Sequence, residues 1–487
     1  MGSTTETTCI PLTPLDHYPP GHYAFFGFFL PLNDGVTFQD AYKVLQKGLL
    51  LAFSQLPWLG GKVYYQSPDT PGWRPGQLEM RYEPVDLTVP GPYQLKYREL
   101  ETDVGYEGLK ERGFPLDTWA DSSVMWSSGV TDDVKGAEVF VAQANFIPGG
   151  CFLTAGLHHC VGDGTSTFDV LKIWADNCHA VQSESWEPQP IPPESSDRNI
   201  MERIWEKENT GHSFSEMAPD AFRLLNLQPP GEESKVEMKS GKINVQDEAM
   251  QAGIFYISAA NFNKLRQDCA RDAGDSISIS GVDALCALVW RTLIKARRAA
   301  AVQRGQETDN FTSTMFLTSD GRPNFSNSMP SPYFGNVVLM QHNQLPLPKL
   351  TGSEANVGSV SRTIRTVANR VTAETVLDAY AIARSMDDYS KLTLRLSTLH
   401  AFDMLMSVMV MVQEDLVCFR GGIFANGGMP DTIRPLMDDL NRFSRICYLM
   451  PRKKSGGVEL VVNLFADEME FLFKDPEFGG YASYVSS

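Results

Sequence analysis

Two periodicities meet at Leu157-His158-His159-Cys160-Val161-Gly162-Asp163-Gly164, and the turn that joins them constrains the fold more than any other stretch. Over residues 152–157 apolar side chains alternate, as on a strand. Downstream, Thr165, Ser166 and Thr167 offer helix caps, and Phe168, Leu171, Ala175 and Cys178 recur at helical spacing. The stretch is therefore predicted to be a strand-to-helix junction. Gly162 and Gly164 allow backbone angles that a β-carbon resists, so a tight turn there fixes the directions of the His159 and Asp163 side chains.

A chain of 487 residues is too long for one ordinary core and predicts two domains of about 200–250 residues, with a cleft between them. An apolar content of 43% with 21% charged residues describes a soluble globular protein. The net charge of −17 argues against nucleic acid, because phosphate binding needs a basic footprint. The segments Lys295-Ala296-Arg297-Arg298 and Arg452-Lys453-Lys454 are candidates for holding one anionic ligand, although such clusters are more often solvated surface. Eight cysteines form no C-x-x-C pair and read as reduced core thiols. The N-terminus has no basic and apolar signal regions, and Glu6 stands where a myristoylation signal needs Ser or Thr, so a cytoplasmic protein is expected. The longest apolar run, 404–412, is interrupted by Ser407 and falls short of the roughly 20 residues of a spanning helix, so it reads as core and no membrane partner is expected.

Along the chain, 23–32 reads as a strand, 37–55 as a helix and 56–63 as a helix end passing into another strand. Residues 138–157 form a hairpin about Pro148-Gly149-Gly150. Four prolines in 184–193 open a connector, and Pro229-Pro230-Gly231 with the polar residues to 248 closes it. The predicted divisions are 1–185, a crossover at 186–249, and a second domain at 250–487. That domain opens with a strand at 253–257, a helix at 259–270, and a longer helix capped by Ser280 with Leu285, Leu288, Val289, Leu293 and Ile294 on its buried stripe. Strands and helices mix without a regular alternation, which favours an α/β layered fold over a doubly wound sheet.

A neutral imidazole can take a proton from an alcohol or amine as it attacks a carbonyl, so His159 is a candidate general base. Asp163 either orients that ring or pairs with an arginine to hold the turn, and spacing alone does not choose between these. A metal site of His158, His159 and Asp163 is disfavoured, because adjacent strand residues point to opposite faces. Cys160 as nucleophile lacks a second histidine with motif support, and Gly-x-Ser-x-Gly is absent.

On these residues the sequence resembles the BAHD acyltransferases, in the fungal branch that includes trichothecene O-acetyltransferase-like enzymes. The stretch from His158 to Gly164 is similar to the family's HHxxxDG motif. Leu56-Pro57-Trp58-Leu59-Gly60-Gly61-Lys62-Val63 looks like its YPLAGRL segment, and residues 280–291 look like its ALVWR helix. Ser319-Asp320-Gly321-Arg322 with Tyr333-Phe334-Gly335-Asn336 looks like its DGR…YFGN pair. These matches follow the family's order over nearly the whole chain.

The resemblance implies two chloramphenicol-acetyltransferase-like domains with an active-site channel at their interface. Acyl-CoA, acetyl-CoA first among donors, would enter from one side, and a small-molecule acceptor from the other. It implies a monomer that acylates a hydroxyl or amine of a bulky secondary metabolite, without a covalent acyl-enzyme and without a metal. His159 is then the general base, while Asp163 pairs with Arg322 at the active site beside Gly164. The family's second signature, DFGWG, should fall at Ile423-Phe424-Ala425-Asn426-Gly427-Gly428-Met429-Pro430, ahead of Ile433-Arg434-Pro435-Leu436, but its Asp and Trp are missing. That signature counts as structural or near the CoA side, so Phe424, Asn426, Gly427 and Gly428 are candidate donor contacts. The alternatives are a CoA-independent proton transfer on the same fold, such as cyclisation, isomerisation or C–C bond formation, or an inactive binding member.

Overall fold

The structure is a computed structural model that describes residues 7–116, 122–183, 185–231, 250–273, 277–394, 402–436 and 444–487. The end of the predicted crossover, 232–249, lies outside the described residues.

In the N-terminal half, the strand Tyr23–Pro31 is buried along nearly its whole length, which its aromatic sequence YAFFGFFLP suits. It runs antiparallel to Gly150–His158, with Tyr23 opposite His158 and Pro31 opposite Gly150. The hairpin partner Phe140–Ile147 lies beyond, and Leu95–Glu99 pairs parallel to that strand. At the turn, Gly149 sits at φ +88°, in the left-handed region that glycine enters without steric cost. Two long helices, Phe38–Gln55 and Gly164–Gln182, pack on the sheet and on each other. Trp174 Nε1 donates to Leu45 O at 2.9 Å, and a β-carbon on Gly48 would collide with Cys178.

The C-terminal half is built on a seven-stranded mixed sheet in the order Val338–Pro346, Thr312–Asp320, Met404–Val408, Ile446–Leu449, Val458–Leu464, Gln251–Ile257, Ala482–Ser486. Helices Ala259–Ala273, Gly281–Gln303 and Val357–Ala368 share a core with it that includes Leu288, Trp290, Leu460 and Val462. Ser280 caps the longest of these helices: its side chain accepts from Asp283 N, and Asp283 accepts from Ser280 N at 2.7 Å. The fold is thus mixed α/β with two chloramphenicol-acetyltransferase-like halves.

One strand crosses between the halves. Thr432–Leu436, from the C-terminal half of the sequence, adds to the N-terminal sheet against Phe25 to Phe29. Arg434 on this strand is buried and donates to Gly113 O (3.0 Å), to Thr432 Oγ1 (2.6 Å) and to Glu459 Oε2 (2.6 Å) in the C-terminal sheet. Burial opposes ionisation of Glu459, but Arg434 and Lys453 outweigh it and hold the carboxyl below its ordinary range. The pair therefore clamps the crossing strand between the two sheets.

Removing one partner of such a buried pair leaves an uncompensated charge. Arg434→Leu is expected to lower unfolding free energy by about 3–5 kcal/mol in urea denaturation, and Arg434→Leu combined with Glu459→Leu to recover part of that loss.

Candidate active site

The strand Gly150–His158 ends at His158, whose ring is fully buried with Nε2 2.9 Å from Asp133 Oδ1. The next residue faces elsewhere. His159 donates its backbone N–H to His22 O at 2.8 Å, and its ring is only partly exposed. Nδ1 is buried without a hydrogen bond of ordinary geometry, so Nε2 is the nitrogen on the open edge.

The two glycines act differently from the sequence expectation. Neither is among the positive-φ residues. A β-carbon on Gly162 would lie 2.7 Å from Leu157 Cδ2 and 2.8 Å from Ser166 Cβ, so close packing of strand against helix demands glycine there. A β-carbon on Gly164 would meet nothing within 4 Å, so glycine leaves the first turn of the helix uncovered.

Asp163 is the N-cap of helix Gly164–Gln182, accepting from Ser166 N at 3.1 Å. Arg322 grips it with two bonds, Nη1 to Oδ2 at 3.0 Å and Nη2 to Oδ1 at 3.1 Å. Val337 N adds a bond to Oδ2 at 2.9 Å. Burial alone would raise the Asp163 pKa, but the Arg322 guanidinium and these donors outweigh it and hold the carboxyl below its usual range. None of its hydrogen bonds goes to the His159 ring, so Asp163 does not orient that ring through one. Arg322 also donates to Asp320 Oδ1 (2.9 Å), Ser166 Oγ (2.9 Å) and Gly335 O (2.6 Å), tying the motif helix to the C-terminal half.

A second buried carboxylate, which sequence reasoning missed, fixes the other side of the turn. Asp16 accepts from Arg198 Nη1 (3.2 Å), Asn336 N (2.9 Å) and Asn336 Nδ2 (3.0 Å). The same Asn336 amide donates to His159 O at 2.9 Å. His159 is thus held at both backbone polar groups, by His22 O and by Asn336. The only sequence signal is the position of Asn336 within Tyr333-Phe334-Gly335-Asn336.

Electrostatics favour a neutral His159. Burial lowers its pKa, opposed by its own backbone carbonyl, the Asp163 charge and the Asn336 side chain. The His22 ring lies 5.0 Å away between centroids.

The remaining candidates are placed elsewhere. The three side chains of the metal reading diverge: His158 to Asp133, Asp163 to Arg322, His159 to the open edge. Among the described residues, His212, Glu374 and Asp378 do bring ligand atoms within 4.8 Å of one another, where the connector meets helix Ala373–Ser385. Cys160 is buried, and burial drives its thiol pKa well up, the reverse of an activated nucleophile. The basic segments are engaged in structural pairs: Lys295 with Asp475 and Glu477, Arg298 with Asp309, Lys453 with Glu414 and Glu459, Lys454 with Asp415.

The degenerate second signature is not brought to His159. Phe424 is buried, bridges Leu32 and packs on Phe419. Asn426, Gly427 and Gly428 form a short turn with positive φ throughout, and Ala425 N donates to Pro31 O at 2.8 Å. Pro31 pairs with Gly150, at the opposite end of the strand from the Tyr23–His158 pair, about 26 Å away by the usual strand rise.

Residues 114–479 match the Transferase family, and residues 23–178 match the trichothecene 3-O-acetyltransferase-like N-terminal domain. The chain belongs to this family, as a BAHD acyltransferase of the fungal branch. The isocyanide synthase-NRPS hybrid crmA of Aspergillus fumigatus is 26% identical over 98% of this chain, which spans only 31% of that protein. Acyltransferase BOA11 of Botryotinia fuckeliana is 24% identical, with 95% of each chain aligned. The structure of F. sporotrichioides TRI101 complexed with coenzyme A and T-2 superposes with a TM-score of 0.75 at 18% identity, covering 98% of this chain and 100% of that one, and so shares its fold. Among the described residues no helix is long and apolar enough to cross a membrane.

The buried Asp163–Arg322 pair gives a pH-dependent expectation. The folded pKa of Asp163 is depressed, so its stabilisation is complete above the ordinary carboxylate range of about 4 and is lost as pH falls through the lower folded value. Asp163→Asn should cost about 3–5 kcal/mol at pH 7. Denaturation curves taken from pH 7 to pH 3 should show the variant losing less stability on acidification than the wild type.

Proposed function

We propose that the chain transfers an acyl group from acyl-CoA to a hydroxyl or amine of a bulky small molecule, with His159 as general base. The observation that carries this reading is the setting of His159: backbone pinned at both polar groups, Nδ1 buried, Nε2 on the open edge, and burial favouring the neutral ring. The family to which the chain belongs, and the relatives called acyltransferases, support the reaction class.

Nε2 takes the proton from the acceptor as its oxygen or nitrogen attacks the thioester carbonyl carbon. The carbonyl π electrons move to oxygen, giving a tetrahedral oxyanion. When the oxyanion collapses, the C–S bond breaks, the sulfur leaves as thiolate, and the imidazolium can return the proton to it. His159 ends neutral, and no bond forms between protein and acyl group. Asp163 and Arg322 position the turn, and acetyl-CoA is the first donor to test.

Two measurements check this together. His159→Ala is expected to lower turnover by about 100-fold or more. Saturating acetyl-CoA or free CoA should raise the Tm of wild type and variant alike by a few degrees. No thermal shift with any acyl-CoA, or full activity in the variant, rejects the reading.

A further inference from the structure

His22 is buried beside the base and has no part in the reaction as described. Its Nδ1 lies 2.9 Å from Pro20 O. A carbonyl oxygen can only accept, so Nδ1 carries the hydrogen and donates it. Burial, and after it the neighbouring His159 ring, drives the His22 pKa down to about 3, so the ring is neutral at physiological pH. In that tautomer Nε2 holds a lone pair and no hydrogen. Nε2 makes no hydrogen bond among the described residues while only 6% of His22 is exposed, so its lone pair is left without a protein partner beside the His159 ring. The ring cannot drift from the base, because His22 O holds the His159 N–H at 2.8 Å and the ring centroids are 5.0 Å apart.

We infer that His22 is a specificity-determining residue whose Nε2 accepts a hydrogen bond from a second donor on the acceptor, next to the nucleophilic group. The favoured acceptors are thus vicinal diols or amino alcohols rather than isolated alcohols. This rests on the acyltransferase reading above. His159 takes the proton of the attacking hydroxyl, and His22, unable to donate from Nε2, is matched only by a neighbouring O–H or N–H. An acceptor lacking that second donor displaces water from the His22 lone pair and leaves it unpaired, which a site built on polar contacts discriminates against strongly. A second general base is the less suitable role, because a ring that stays neutral down to about pH 3 is a weak proton acceptor.

The test compares trans-decalin-2,3-diol with trans-decalin-2-ol, each with acetyl-CoA, by the rate of free CoA release in wild type, His22→Phe and His22→Gln. The readout is the ratio of kcat/KM for diol over mono-alcohol within each protein, which cancels any change in the folded fraction. Wild type is expected to favour the diol by about 10-fold or more, beyond the statistical factor of two for two hydroxyls. His22→Phe should bring the ratio to that factor, and His22→Gln, whose amide oxygen can accept, should keep a preference for the diol. A wild-type ratio at the statistical factor, or an unchanged ratio in His22→Phe, overturns the inference while leaving the acyltransferase reading in place. No CoA release with any acceptor, together with no Tm shift from acetyl-CoA, overturns that reading and this inference with it.

Discussion

The two-point pair between Asp163 and Arg322 is the contact on which the site depends. It joins the end of the N-terminal sheet's central strand, through the cap of helix Gly164–Gln182, to the short helix Arg322–Phe325 that follows strand Thr312–Asp320 in the other half. Burying both groups is costly in itself, and the geometry offsets that cost with a bidentate contact and further donors to the carboxylate. Asp163 is therefore fully occupied. An orienting carboxylate for His159 is neither available there nor needed, since His22 O and Asn336 hold the residue by its backbone.

The same arrangement explains how the second signature can degenerate. Its loop is fastened to Pro31, Leu32 and Asn33, at the far end of the strand that begins opposite His158. Phe424 fills core and the glycines make a tight turn; a β-carbon on Gly428 would run into Phe419 O. The stretch connects to the crossing strand Thr432–Leu436, and its work is to deliver that strand to the N-terminal sheet. Loss of an Asp and a Trp there changes packing far from His159.

How much was legible in the sequence follows from the range of each interaction. The strand-to-helix junction, the Ser280 cap and the stripe of the long helix depend on residues within a few positions of one another, and period and capping chemistry reveal them. His159, Asp163 and Arg322 stood out because they lie in short patterns with turn glycines. The Asp16–Arg198–Asn336 network joins residues 182 and 320 positions apart, and no local pattern announces it. The crossing strand is equally hidden, because nothing local in Ile433-Arg434-Pro435-Leu436 points to its pairing with Phe25 to Phe29, about 400 residues earlier. Even at the motif glycines the sequence suggests backbone freedom, whereas Gly162 is required by the space between Leu157 and Ser166.

The proposed reaction needs a neutral, partly desolvated His159 as base, and the pH dependence of kcat/KM tests this most directly. Because burial lowers the His159 pKa, activity should persist as pH falls through the ordinary histidine value of about 6.5 and decline only below it, with no such limb in the residual activity of His159→Ala. An acid limb at or above the ordinary value, or one that survives unchanged in His159→Ala, would contradict the account.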